Sequence, residues 1–281
     1  MSDEKICIHT YLTKCKGDVQ PPGFADYLRG TIALYKLSKE YGYKLLLDNS
    51  HPIFKYIEPT SSHVRSTSTD IIELHSLVHT YEEIYDTLPT IFSKGDSFTI
   101  MTNSFYTLGR SWWGKVCNWG DISEDCIDYL KDNFSPSKEL SNNVESILSD
   151  VYNIKKDDEF IVIHLRLGDK FIHADLFDEN IYTLYYNKIN AFINGDTSVK
   201  YVLLSDSSAI ASKLHENIVE LEYWCNNKVH LGDLINSDHT SILHTLTDFF
   251  ILSRSREILT NGSGFSTIAS LIFNIPCHVI F

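Results

Sequence analysis

Apolar residues recur along this chain in two rhythms. From Phe24 to Tyr41, Leu28, Ile32 and Tyr35, and then Leu34, Leu37 and Tyr41, return at intervals of three and four. That spacing predicts an amphipathic helix, closed by Gly42. Short apolar runs at residues 5–9 and 44–48 flank it and predict buried strands, so the opening reads as a βαβ unit. A less regular stretch follows, with a helix over 79–92, a strand over 98–102, and helices near Trp112 and Asp125.

Residues 134–139 mark a boundary, where Ser137 can cap a helix running to about Tyr152. Beyond it the rhythm is regular. Strands are predicted at 160–164, 200–204, 228–231, 257–260 and 277–281, and helices at 180–193, 209–216, 241–254 and 265–273. Strands alternating with crossover helices build a parallel, doubly wound sheet. The expected fold class is α/β, with two Rossmann-like domains, 1–135 and 136–281, facing one another across a cleft. No internal repeat is visible.

The stretch from Ile161 to Asp169 carries the most chemistry. Apolar and β-branched residues run straight into His164, Arg166 and Asp169, with Gly168 at the bend. A buried parallel strand delivers side chains in this way to the carboxyl edge of its sheet, where ligands bind. An Arg there suits a phosphate, because its planar fork makes paired charge-assisted hydrogen bonds. The plainer alternative is a core strand ending in a structural Arg–Asp pair. Two further strand ends converge on the same edge. Ser205-Asp206-Ser207-Ser208 follows one strand and also reads as a helix cap. Asn261-Gly262-Ser263-Gly264-Phe265-Ser266-Thr267 follows another, where glycines and a helix start can aim backbone N–H groups at an anion. The fragment Gly262-Ser263-Gly264 is no dinucleotide fingerprint, and there is no Walker A loop and no D-x-D triplet. Phosphate charge would then be met by Arg166 and backbone dipoles, with no metal and no other cofactor.

Composition narrows the classes. A net charge of −13 over 281 residues argues against a nucleic-acid partner. The first residues lack a basic segment followed by an apolar run, and no stretch reaches the ~20 apolar residues that span a bilayer. The six cysteines are scattered and form no C-x-x-C pair, so they read as reduced thiols of a cytoplasmic protein. The sequons at Asn133 and Asn261 are then incidental. The aromatic stretch 105–119 offers either a sugar-stacking face or a packed core edge.

Taken together, residues 134–281 resemble the donor half of the GDP-fucose-dependent fucosyltransferases, the α1,2-, α1,6- and protein O-fucosyltransferase group with its GT-B fold. The resemblance rests on His164-Leu-Arg166-Leu-Gly-Asp169, on Asp248 at the head of an apolar helix segment, and on Ser263-Gly-Phe265-Ser266-Thr267 after a short strand. The lead-in Phe134-Ser-Pro-Ser is similar to the group's domain junction, while Pro22-Gly23-Phe24-Ala25-Asp26 is only loosely similar to its early glycine loop. Leu167 departs from the pattern, standing where many members have a second Arg.

The resemblance implies an inverting fucosyltransferase that moves fucose from GDP-fucose to a saccharide or related hydroxyl. It places His164 and Asp248 by the guanine, Arg166 on the β-phosphate, and Ser263, Phe265, Ser266 and Thr267 around phosphates and fucose. Asp206 would contact base or ribose, with Asp169 and Gly23 also at the substrate. Asp26, at the start of the first helix, is the candidate general base, although an acid there also complements the helix dipole. Asp248, at an exposed-looking helix position, could equally be a solvated carboxylate. Two other functions fit the same residues: a GT-B transferase using another nucleotide sugar, and a nucleotide-binding protein without turnover.

Overall fold

The computed structural model describes residues 5–16, 21–63, 71–94, 99–103, 122–174, 176–226, 228–232 and 238–280. The helix expected near Trp112 and the aromatic stretch 105–119 lie outside them. The chain divides into two units, Met1–Ser135 with Leu231–Asn236, and Pro136–His230 with Ser237–Phe281.

The first unit is built on five parallel strands. Strands β1 (Ile6–Thr10) and β2 (Lys44–Asp48) flank helix α1 (Phe24–Tyr41) in sequence, as the periodicity predicts. Gly42 closes α1, its N–H donating to the Ser38 carbonyl. Two short strands not visible in the sequence, β3 (Ser62–His63) and β4 (Ile71–Leu74), occupy the edges, and β5 (Thr99–Asn103) lies between β1 and β4. Helix α2 (Tyr81–Ser93) starts on a capping box, Thr80 and Glu83 each accepting from the other's backbone N–H. Helix α3 (Glu124–Asn133) completes the unit.

A column of rings, His9 on Tyr27, Tyr27 on Tyr11 and Tyr11 on His51, stacks at centroid separations of 4.1 to 4.3 Å beside the carboxyl end of β1. Residues 231 and 232 return to this unit. The His51 ring bonds the Leu231 carbonyl at 3.1 Å, and a Cβ at Gly232 would lie 2.1 Å from the Pro22 carbonyl oxygen, so only glycine fits there.

The second unit opens with α4 (Lys138–Ser146), capped by Ser137 and continued as a π turn over Ile147–Val151. Its sheet is formed by β6 (Phe160–Leu165), β7 (Lys200–Ser205), β8 (Leu221–Tyr223), β9 (Glu257–Thr260) and β10 (Cys277–Val279), all parallel. The connecting helices are α5 (Asp169–Ala174), α6 (Glu179–Ile193), α7 (Ser208–Asn217), α8 (His239–Leu252) and α9 (Gly264–Phe273).

All six residues of β6 are buried, because helices cover both faces of the sheet. Ile161, Ile163 and Leu165 pack with Phe171, Ile189, Leu203 and Leu214 on one face. His164 points to the other. One strand expectation is corrected: the edge strand is Leu221–Tyr223, not residues 228–231. Three residues at a sheet edge give too short a pattern to stand out, whereas the Lys228–Leu231 stretch is drawn into polar contacts and into the first unit.

The strand order β10-β9-β6-β7-β8 is that of a Rossmann half. The chain leaves β6 to one side through β7 and β8, then returns to the other through β9 and β10. Ligands of such sheets bind at the carboxyl ends of the two strands where the order reverses, here β6 and β9. No helix of the described residues is long and apolar enough to cross a membrane.

Candidate functional site

Register brings the three strand ends together. Leu165 pairs with Ser205 and His164 with Thr260, so the residues that follow, Arg166, Asp206 and Asn261, leave the sheet side by side. Asn261 grips the backbone of Arg166 on both sides. Its Oδ1 accepts from the Arg166 N–H at 3.0 Å, and its Nδ2 donates to the Arg166 carbonyl at 2.9 Å and to the Tyr185 hydroxyl at 3.0 Å.

Asp206 holds what comes next. Its carboxylate accepts from the N–H of Leu167 at 2.7 Å and of Gly168 at 2.9 Å, and pairs with the Arg166 guanidinium. Gly168 has φ +112°, which lets these two successive N–H groups converge on one carboxylate. The Asp206 side chain is 7% exposed and that of Arg166 29%. The acid is therefore part of the frame, while the Arg still reaches solvent. Asp206 was expected against base or ribose, and its oxygens are instead spent on the loop that carries Arg166. Leu167, at the position of the missing second Arg, packs against the apolar core.

The hydroxyls after β9 also turn inward. Gly262, at φ +89°, makes the bend from the strand. Ser263 caps α9, its Oγ accepting from the Phe265 N–H at 3.2 Å. Thr267 Oγ1 donates back to the Ser263 carbonyl at 2.9 Å. Ser266 Oγ donates to Thr260 Oγ1 at 2.9 Å or to the Ser263 carbonyl at 3.2 Å, and meets His164 Nδ1 at 3.0 Å. With its one hydrogen given away, Ser266 accepts from Nδ1–H, and His164 keeps a lone pair on Nε2. The Phe265 ring lies 5.6 Å from the His164 ring. Ser263, Phe265, Ser266 and Thr267 thus shape the turn and orient His164.

Burial lowers the His164 pKa to about 3, with the charges of Lys228 and Arg166 adding to the effect. His9 is held down to about 3 and His51 to about 4, chiefly by burial. The unfolded rings take up protons near pH 6.5 and the folded ones do not, so their contribution to stability is complete above pH 6.5 and is lost as pH falls. Each ring contributes a slope of about 1.4 kcal/mol per pH unit between those limits. Denaturant unfolding from pH 7 to 4.5 should show stability falling steadily below pH 6.5, with His164→Gln falling less steeply. A His164→Gln slope equal to that of the wild type would remove His164 from this account.

Asp248 is buried rather than solvated. Its Oδ2 lies 2.6 Å from Lys228 Nζ, and its Oδ1 accepts from Asn226 Nδ2 at 3.4 Å. Lys228 was missed by sequence reasoning because it sat inside an expected strand; Asn261 was visible only as one residue of a polar turn. Asp169 opens α5, as the first residue after the Gly168 bend.

In the first unit, Gly23 is the N-cap of α1, its carbonyl accepting from the N–H groups of Asp26 and Tyr27. Asp26 stands in the first turn, 26% exposed, with Arg29 Nη1 3.5 Å away.

No family model and no curated protein matches the sequence. Solved structures do match. The NodZ α-1,6-fucosyltransferase from Bradyrhizobium, soaked with GDP-fucose, aligns over 96% of this chain and 92% of its own, at 14% identity and a TM-score of 0.60. Arabidopsis thaliana FUT1 in complex with GDP aligns over 98% of this chain and 70% of its own, at 12% identity and a TM-score of 0.61. POFUT1 in complex with GDP-fucose aligns over 100% and 99%, at 11% identity and a TM-score of 0.54. With its two parallel α/β units, the chain has the GT-B-like fold of these fucosyltransferases.

Proposed function

We propose that this protein is an inverting fucosyltransferase that moves fucose from GDP-fucose to a hydroxyl of a glycan or related acceptor. One observation carries the reading: a half-exposed Arg166, pinned by Asn261 and Asp206 at the point where the strand order of the second unit reverses. The fold, shared with proteins crystallised with GDP-fucose, supports that choice of donor. In this reading residues 136–281 hold the donor, with His164 and Asp248 at the guanine, and residues 1–135 present the acceptor. The acceptor oxygen attacks the anomeric carbon as GDP departs, and Arg166 offsets the charge that builds on the β-phosphate. A reducing compartment, the cytoplasm, fits the described cysteines, all of them thiols.

A panel of nucleotide sugars tests the proposal, scored by GDP or UDP release with β-galactosides and N-acetylglucosamine oligosaccharides as acceptors. GDP release from GDP-fucose that rises with acceptor is the expected result. Preferred release from a different donor would replace fucose, and nucleotide binding without release would replace catalysis.

Binding gives an independent check. Saturating GDP should raise the melting temperature, as any ligand selective for the folded state does. UDP and ADP should raise it much less. Equal shifts with all three would count against a guanine nucleotide.

We also propose that no divalent ion takes part. The sequence has no D-x-D triplet to gather the oxygen ligands a hard cation needs, and Arg166 supplies positive charge for the phosphates. Activity should survive EDTA unchanged; loss in EDTA, restored by magnesium or manganese, would contradict this.

A further inference from the structure

Arg166 stands one residue beyond the end of β6, past the last pairs of the strand ladder. A fork aimed at a phosphate has little tolerance there, since a misplacement of about 1 Å can cost about 10²-fold in rate. Asp206 fixes the tip of the side chain and the amides of the two residues that follow. The backbone of residue 166 is fixed from another side, by Asn261. The Arg166 N–H can only donate, and this sets the orientation of the Asn261 amide. Oδ1 faces that N–H, and both hydrogens of Nδ2 are engaged, one by the Arg166 carbonyl and one by the Tyr185 hydroxyl oxygen. Asparagine is the residue this arrangement needs. Asp only accepts, Ser and Thr have a single hydrogen, and Gln carries its amide one methylene farther out. Tyr185 is itself held. Ile181, Tyr185, Ile189 and Ile193 recur at every fourth place along α6, and all four pack with the core of the second unit. A chain of contacts therefore runs from the packed face of α6, through the Tyr185 hydroxyl and the Asn261 amide, to the backbone that carries Arg166.

We infer that Tyr185 and Asn261 are positioning residues, which act on the reaction through Arg166 by setting where its fork stands. The inference rests on the phosphate role proposed above for Arg166 and adds two residues to it. Tyr185→Phe keeps the ring and its packing and removes one bond, the one that holds the Asn261 amide to α6. Two bonds from Asn261 to the backbone of residue 166 remain, so the fork is loosened rather than lost. Asn261→Ala removes all three bonds at once and frees residue 166 on that side. The two variants should therefore act in the same sense, with Asn261→Ala the stronger.

A double-mutant cycle with Arg166→Ala tests it, because a residue that only aims the fork has nothing to do once the fork is gone. The readout is GDP release from saturating GDP-fucose, with N-acetylglucosamine oligosaccharides and β-galactosides as acceptors. Tyr185→Phe should lower turnover several-fold to about tenfold in the wild-type background. In the Arg166→Ala background it should change turnover by less than about twofold. A tyrosine that merely supports the fold would cost the same factor in both. Asn261→Ala should cost more than Tyr185→Phe in the wild type, and its cost should likewise vanish beside Arg166→Ala. Should Asn261→Ala fail to fold, the Tyr185→Phe cycle decides. Equal factors in the two backgrounds, or no loss in the wild type, would overturn the positioning roles and leave Arg166 where it is. An Arg166→Ala protein with near wild-type release, or a wild type that releases no GDP from GDP-fucose, would overturn the reading of Arg166 and this inference with it.

Discussion

Arg166→Ala is expected to fold and to lose about 10²-fold or more in turnover, the usual loss on removing one donor from the transition state. The fold should survive because the frame around Arg166 does not depend on its side chain. Asn261 bonds the backbone of residue 166, and Asp206 retains the N–H groups of Leu167 and Gly168 when the guanidinium is gone. In the proposed mechanism activity should fall, because that frame aims one charged fork before substrate arrives, and a truncated side chain leaves only backbone dipoles to meet charge on the departing phosphate. Arg166→Lys should recover only part of the loss, since a point charge lacks the paired geometry of the fork. Initial rates of GDP release, measured beside melting temperatures, decide the matter. An Arg166→Ala protein with near wild-type transfer would remove Arg166 from the mechanism.

The same residues show what a sequence reveals and what it withholds. Strand β6 was legible because helices cover both faces of its sheet, which demands an unbroken apolar run. Helix α1 was legible because Leu28, Ile32, Tyr35 and Leu34, Leu37, Tyr41 recur at three and four, although residues 30–35 are buried all round and the exposed positions are Lys36, Lys39 and Glu40. That His164, Arg166 and Asp206 lie at one sheet edge follows from the strand rhythm alone. What each does there does not. An aspartate after a strand has the same letter whether it holds a ribose or two backbone N–H groups and an arginine. Only the φ of Gly168 and the direction of two amides separate the cases. Asp248 and Lys228 were obscured for a related reason. A carboxylate on an exposed-looking helix position gives no sign of a lysine twenty residues earlier that buries it, and that lysine lay in a stretch whose apolar neighbours imitate a strand.

Asp26→Asn is expected to lower turnover strongly while leaving GDP affinity intact. An attacking hydroxyl must lose its proton, and general base catalysis by a positioned carboxylate contributes about 10²- to 10⁴-fold. Asp26 fits the requirement on local grounds. It stands in the first turn of α1, the helix that follows β1 in the chain, and its side chain reaches solvent. Arg29 Nη1 lies 3.5 Å from it, and the helix N-terminus stands beside it. The same two contacts suit a carboxylate that only steadies the helix, and the variant separates these roles. A stabilising acid, replaced by Asn, costs a few tenths to about 1 kcal/mol of stability and leaves the rate alone. A base, so replaced, loses the proton acceptor, and turnover falls far more than the same small change in stability explains. Turnover is therefore measured with saturating donor and acceptor, GDP binding by titration, and stability by thermal melting on the same preparation. If turnover is unchanged and the melting temperature falls, Asp26 is a helix residue, and the proton must leave through another carboxylate of the first unit or through water.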